Sequence, residues 1–444
     1  MSKAFTPLKT AFPVAIGLLL IFGFLALLTK SNWTRNKVAS EPPEDREAYP
    51  LILYGVPNTD KDLRRTRELG FTHIYRSGNG FAGNPDDPER MDDIRTYLDR
   101  AQAHGLKVAF CLDGHRRLRK GEQGIEEMRA IVRQFKNHPA LGFWYLYDEP
   151  NLPSPKTKKA MLAARLQEEG GASDEEVVKE LVCPPGRLLP AYEMVKQEAP
   201  GRPVILMMAI TNDGWWRDAW KEFHASYDII SFDTYPVYAT PFPEAPLDRV
   251  TSWMDRYTKG TDKPVMPCLQ TFNWNTFSRR VERAREAGNT EVDQWRYPNL
   301  EELRYWNFSS LIQGAPGAIY YTYGGPDPAR RPPASWLDRD LKTTTRELAR
   351  FTALAEPHSL RRITLPGRTP VLCAAFRSGK GRFIVVANGS GTGQQLADAD
   401  LLSELNGSTV QAWDFTRATA LHLKEGSVVG IDLQPWEVQV WQVQ

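Results

Sequence analysis

Residues 141–151 read LGFWYLYDEPN, an apolar run of strand length that passes directly into Asp148, Glu149, Pro150 and Asn151. A continuous apolar run of this size is the mark of a strand buried on both faces, as in a parallel sheet. Burying carboxylates is costly unless they are paired, hydrogen-bonded or protonated. Acids set where such a strand ends therefore point to tuned acid/base chemistry. The plain alternative is a polar turn, because Asp and Pro are common turn residues. The surrounding pattern decides between the two.

Seven further runs of the same kind flank this one: 51–56 (LILYGV), 71–76 (FTHIYR), 106–112 (LKVAFCL), 203–210 (PVILMMAI), 227–233 (YDIISFD), 264–270 (PVMPCLQ) and 317–323 (GAIYYTY). Amphipathic helices separate them. One carries Ile94, Leu98 and Ala101 and ends at Gly105, a glycine suited to a left-handed C′ position; the next carries Ile125, Met128, Val132 and Phe135. Later faces are Leu189–Tyr192–Val195, Val250–Trp253–Met254–Tyr257, Leu300–Leu303–Leu311 and Leu341–Leu348–Phe351–Leu354. Eight strands alternating with helices predict an α/β fold of the (β/α)₈ TIM-barrel type over residues 50–358. A doubly wound open sheet would more often place a Gly-rich phosphate loop after its first strand, where this chain has GVPNTD. Two long connections, 151–187 and 271–298, follow strands four and seven. They fall on the side of the barrel where active sites form.

Beyond the barrel, residues 359–444 change pattern. VLCAAFRSGKGRFIVVANGS reads as two strands around a Ser-Gly-Lys-Gly turn, and strand-like alternation continues to the C-terminus. A small antiparallel β-sandwich is expected. At the other end, residues 11–28 (AFPVAIGLLLIFGFLALL) carry no charge, with Lys3 and Lys9 before them and Lys30, Arg35 and Lys37 after. Residues 1–30 thus read as a transmembrane anchor or a signal peptide, and 31–49 as a polar tether. Either reading sends the barrel out of the cytoplasm. The formal net charge is +2, from 56 basic and 54 acidic side chains. Such a balance gives no electrostatic reason for a nucleic-acid partner. The four cysteines, Cys111, Cys183, Cys268 and Cys373, form no CxxC pair, and Cys111 and Cys268 fall in strand-like runs as small hydrophobes.

With the barrel in place, the strand-four segment resembles the clan of (β/α)₈ retaining glycoside hydrolases that includes cellulases and β-galactosidases, which carry Asn-Glu, often Asn-Glu-Pro, at that strand end. The resemblance implies that Glu149 is the acid/base, with Asp148 standing where the clan has Asn. It places Arg76, at the end of strand two, beside the nucleophile. It places Tyr235, in SFDTYP, as an aromatic hydroxyl against the nucleophile, and Tyr321 and Tyr323 as the strand-eight aromatics that stack on sugar. The clan nucleophile is a Glu ending strand seven, where this chain has Gln270 in PVMPCLQTFNW. An amide neither attacks an anomeric carbon nor stabilises an oxocarbenium ion.

Three routes remain open. Asp233 or Asp113 activates water for inversion, which asks for carboxyls ~6.5–9.5 Å apart. Alternatively, the substrate's acetamido group attacks, oriented by Asp148, as in the adjacent Asp-Glu pair of N-acetylhexosaminidases. Otherwise the barrel binds carbohydrate without cutting it. Trp215, Trp216, Phe272, Trp274 and Trp336 are placed to line a glycan groove, and Asn79, Asn212 and Asn273 to bond hydroxyls. The histidines show no HxH or HExxH spacing, and Asp86 and Asp87 read as a solvated turn rather than a calcium site. Neither a metal nor a cofactor is expected. The expected partners are a carbohydrate substrate and, through the N-terminus, a membrane.

Overall fold

The computed structural model describes residues 48–75, 85–154, 181–210, 217–325, 327–365, 370–379, 381–406, 410–413, 421–424 and 427–444. The anchor segment, Arg76, Asn79, Asn212, Trp215, Trp216 and the charged insertion 155–180 lie outside them. Eight parallel strands close into one barrel in sequence order: β1 (Leu51–Tyr54), β2 (His73–Tyr75), β3 (Lys107–Cys111), β4 (Leu141–Asp148), β5 (Val204–Ala209), β6 (Ile229–Asp233), β7 (Val265–Gln270) and β8 (Ala318–Tyr321). β8 pairs back onto β1, with Leu51 opposite Ala318. Each strand coincides with one of the eight apolar runs.

Helix boundaries follow local chemistry. Thr59 caps the helix Asp60–Glu68 by accepting from the Asp62 N–H, and Asp87 caps Pro88–Ala103 by accepting from Glu89 and Arg90. Asn299 and Glu302 form a reciprocal capping box at the start of Leu300–Ile312. Gly105 takes φ +66°, the left-handed stop that its missing side chain permits. One expected face is displaced. In Pro185–Glu198 the buried stripe is Leu188, Ala191, Met194 and Val195, while Leu189 and Tyr192 lie half-buried at its flank. In Lys342–Leu354, Leu348 and Phe351 are buried but Leu354 turns to solvent, 49% exposed.

β4 is longer than its neighbours and absorbs the excess in two bulges. Gly142 is the extra residue against β3, and Leu146 is the extra residue against β5. At the first bulge a Cβ on Gly142 would stand 2.6 Å from the His73 ring, so the site requires glycine. Burial and Lys107 push the pKa of that ring down to about 3, which keeps it neutral.

The C-terminal region forms two antiparallel sheets. The larger contains β9 (Arg361–Arg362), β10 (Val371–Ser378), β11 (Gly381–Asn388), β13 (Val410–Ala412) and β16 (Val438–Val443). The smaller contains β12 (Gln394–Leu396), β14 (Leu421–Lys424) and β15 (Ser427–Leu433). Both faces of the larger sheet are used, and strand alternation sorts them. Ala374, Phe376, Phe383 and Val385 join the barrel core, whereas Cys373, Ala375, Ile384 and Val386 pack with Ile431 and Leu433 of the smaller sheet. Against the barrel side lies Leu300–Ile312, buried on nearly every face. The four cysteines are free and buried. Among the described residues, no helix is long and apolar enough to cross a membrane.

Candidate active site

At the carboxy-terminal rim of the barrel lies a cavity of about 250 Å³ lined by Tyr54, Asp148, Glu149, Met207, Asp233, Tyr235, Cys268, Phe272, Trp274, Phe277 and Tyr321. Strand register brings these groups together. Asp148 is opposite Met207, Ala209 opposite Asp233, and Asp233 opposite Cys268. The Leu146 bulge has a direct consequence here. Residues three apart on a regular strand face opposite ways, yet the Tyr145 hydroxyl donates to Asp148 Oδ1 at 2.7 Å. The extra residue between them turns both toward the same side.

Past Asp148 the chain turns sharply. Glu149 takes φ +55°, uncommon for a residue with a side chain. Its N–H is held by the Met207 carbonyl at 2.9 Å. Strain of this kind is typical of functional positions. Asn151 then locks the turn: its Nδ2 donates to the Ala209 carbonyl at 2.8 Å, and its Oδ1 accepts from the Ala209 N–H at 2.9 Å.

The carboxyls of Glu149 and Asp233 are in hydrogen-bond contact. Two carboxyls can bond to each other only when one is protonated, and the raised Asp233 pKa places that proton on Asp233. Burial, followed by the negative charges of Glu149 and Asp148, holds the pKa of Asp233 well above the ordinary carboxylate range, against a favourable bond from Tyr235. Burial also raises Asp148, opposed by the Tyr145 bond and by His115. The Cys268 thiol, 3.5 Å from the Tyr235 hydroxyl, is pushed up by burial and then by Asp233, so it stays protonated.

Aromatic rings wall the remainder. Tyr321 meets Tyr54 edge-on at 4.8 Å and stacks on Tyr235 at 5.4 Å. Trp274 lies flat on Tyr238 at 4.8 Å, with the Arg280 guanidinium 3.9 Å above its ring. The loop after β7, one of the two long connections, thus supplies Phe272, Trp274 and Phe277 to the cavity.

Of the residues singled out from sequence, Asp148, Glu149, Asp233, Tyr235, Phe272, Trp274 and Tyr321 meet in this cavity. Others do not. Asp113 ends β3 outside the lining, with Arg116 Nε at 4.0 Å. The Tyr323 hydroxyl donates to Asp62, which also binds Arg331, so it braces the barrel's outer side. Gln270 is fully buried and turned from the cavity, bonded to Val237 and Phe272. The Trp336 ring N–H donates to the Pro298 carbonyl, and the Asn273 amide donates to the Trp295 carbonyl. Asp87 is occupied as a helix cap.

Tyr54, Met207, Cys268 and Phe277 line the cavity without having been singled out. Tyr54 and Cys268 sit near strand ends, on the alternation that faces the barrel axis. That parity was the available signal. Among the described residues, no group of three or more His, Cys, Asp or Glu side chains is arranged to hold a metal ion. A larger groove of about 530 Å³ on the barrel flank is lined by Arg217, Trp253 and Arg256 among others, and its charges are paired locally, Arg256 with Asp218 and Lys259 with Asp255.

The architecture is a (β/α)₈ barrel, a fold that solved glycoside hydrolases share. An α-amylase from Geobacillus thermoleovorans, solved in complex with acarbose, aligns over 90% of this chain and 99% of its own at 12% identity and a TM-score of 0.54. A glycoside hydrolase family 5 protein from Bacteroides vulgatus aligns over 92% of both chains at 11% identity and a TM-score of 0.53. A β-galactosidase from a psychrophilic Marinomonas matches over 68% of this chain at 13% identity and a TM-score of 0.48, and the chain spans 59% of that enzyme's length. At these identities the likeness is one of fold. No protein-family model matches the chain, and no curated protein matches it in sequence.

Proposed function

We propose that the protein is a glycoside hydrolase that cleaves O-glycosidic bonds of an extracytoplasmic poly- or oligosaccharide, with Glu149 as general acid and Asp233 as base. The observation that carries this reading is the placement of the Glu149 and Asp233 carboxyls side by side in an aromatic-walled cavity at the rim where barrel enzymes work. Pairs of acids whose environments separate their protonation states are the usual source of acid/base assignments. The barrel's likeness to structures described as an α-amylase and a family 5 glycoside hydrolase agrees with it.

In the proposed reaction a sugar ring seats against Tyr321 and Trp274 and parts the two carboxyls. Seating the sugar passes the proton held by Asp233 to Glu149, which gives it to the leaving oxygen, while the Asp233 carboxylate so formed takes one from an attacking water. The anomeric carbon is inverted. Product release leaves the proton on Asp233, which is the resting state of the pair. Inversion is favoured over double displacement because position 270 offers no carboxylate and its amide is engaged elsewhere. A second reading rests on Asp148, which shares the cavity and is steered by Tyr145. In that reading Asp148 orients a substrate acetamido group, which attacks in place of water.

The test is hydrolysis of defined oligosaccharides followed by NMR of the first-formed anomer. Inverted product that vanishes in Glu149→Gln supports the acid–base couple. Retained product confined to N-acetylhexosamine substrates supports the second reading. Sugar binding with no product over long incubation would leave the barrel a carbohydrate-binding module. The uncharged run 11–28 supports an anchored or exported location, checked by fractionation of the full-length chain.

A further inference from the structure

Gln270 ends β7, and its surroundings show what an amide does there. The side chain is fully buried. Its Oε1 accepts from the Val237 N–H at 2.9 Å, and its Nε2 donates to the Val237 carbonyl at 2.8 Å and to the Phe272 carbonyl at 3.1 Å. One acceptor and two donors are in use, which is what a neutral primary amide supplies and a carboxylate cannot. The partners belong to two different loops. Val237 lies two residues past Tyr235 in the segment after β6, and Phe272 begins the segment that carries Trp274 and Phe277. Both segments wall the cavity. Asn151 repeats the device between the ends of β4 and β5, pairing with both backbone groups of Ala209.

We propose that Gln270 is a positioning residue, an amide clip that fixes the Tyr235 wall to the Phe272–Trp274 wall, and that a carboxylate at this position opens the site rather than restoring a nucleophile. The inference rests on the acid–base reading only for its kinetic consequence. A glutamate at 270 would face two carbonyls with at most one donor when protonated and with none when ionised. Buried unpaired acceptors are costly. Met at 270 keeps the volume and removes every bond.

The test is amide hydrogen exchange of the full chain, read by mass spectrometry over pH 5–9 for wild type, Gln270→Glu and Gln270→Met, beside kcat and KM. In wild type the Val237 amide exchanges as slowly as the amides of β7. In Gln270→Met the segments 234–238 and 271–277 both exchange at least about tenfold faster at every pH, as the loss of three buried bonds between them requires. In Gln270→Glu the two segments are protected at pH 5 and released together as the carboxyl ionises, with kcat falling over the same range. The titratable groups on the flanking elements, Asp233, Tyr235 and Tyr238 after β6, Cys268 on β7 and Tyr321 on β8, are common to all three proteins, so the wild-type series accounts for them. A wild-type Val237 amide that exchanges like an unbonded loop amide overturns the proposal without any variant. So does a Gln270→Glu protein that stays protected through pH 9 or gains activity. Absence of hydrolysis by wild type would defeat the acid–base reading while leaving the exchange result standing.

Discussion

At Asp233 the fold maintains a carboxyl that is expensive to ionise, and the cost has a definite pH signature. A free Asp loses its proton near ~3.9. Burial and the neighbouring Glu149 keep Asp233 protonated well above that. Above the free value the unfolded chain binds fewer protons than the native one. Stability therefore falls as pH rises from about 4 toward the raised native value. Asp233→Asn removes this penalty. It is expected to raise Tm at pH 7 by about 1–3 °C relative to wild type, with no gain at pH 3, while hydrolysis drops about 100-fold or more. Thermal scans at the two pH values check the sign, and a lower Tm at pH 7 contradicts the account. Glu149 and Asp148 were legible in sequence because an apolar strand ran straight into them. Cys268 was passed over because PVMPCLQ is apolar on both faces, so its parity was the one signal and hydropathy added nothing to it. Gln270 was singled out only because it stands where the resembled clan has its nucleophile; its bonds to Val237 and Phe272 could not be read, because they form only through tertiary structure.

At the scale of elements, β4 sets the site. Its Leu146 bulge puts Tyr145 and Asp148 on one side, and its Gly142 bulge fits the strand past His73. Gly142→Ala is expected to cost about 1–3 kcal/mol through overpacking against the His73 ring. A denaturant midpoint unchanged from wild type would contradict that placement. All eight strands were legible because buried parallel strands are largely apolar runs, although β2 and β8 are each three residues shorter than the run that predicted them. Bulges leave no such trace. An extra residue inside an apolar run looks the same as a longer strand, so the facing of Tyr145 and Asp148 could not be read. The displaced face of Pro185–Glu198 has a similar cause. Leu188 and Leu189 are adjacent, and hydropathy alone does not choose between them.

For the whole molecule, the C-terminal sheets complete the barrel's core rather than standing apart from it. Trp436 joins the two, with its ring against Tyr305 at 5.1 Å and its N–H donated to the Pro243 carbonyl at 2.5 Å. Trp436→Ala is expected to destabilise the protein by about 3–5 kcal/mol, seen as a lower midpoint for the barrel and sheet signals together. The shift from helical to strand alternation near residue 359 was visible in sequence, whereas this packing was not, because Tyr305 and Pro243 meet Trp436 only through tertiary structure. The central claim is that Glu149 and Asp233 act as one proton-sharing couple. The most direct measurement is kcat/KM against pH for oligosaccharide hydrolysis by wild type, Glu149→Gln and Asp233→Asn. The account predicts a bell for wild type with its alkaline limb above the ordinary carboxylate range, and a loss of about 100-fold or more in each variant. Turnover by either variant equal to wild type across that range would contradict it.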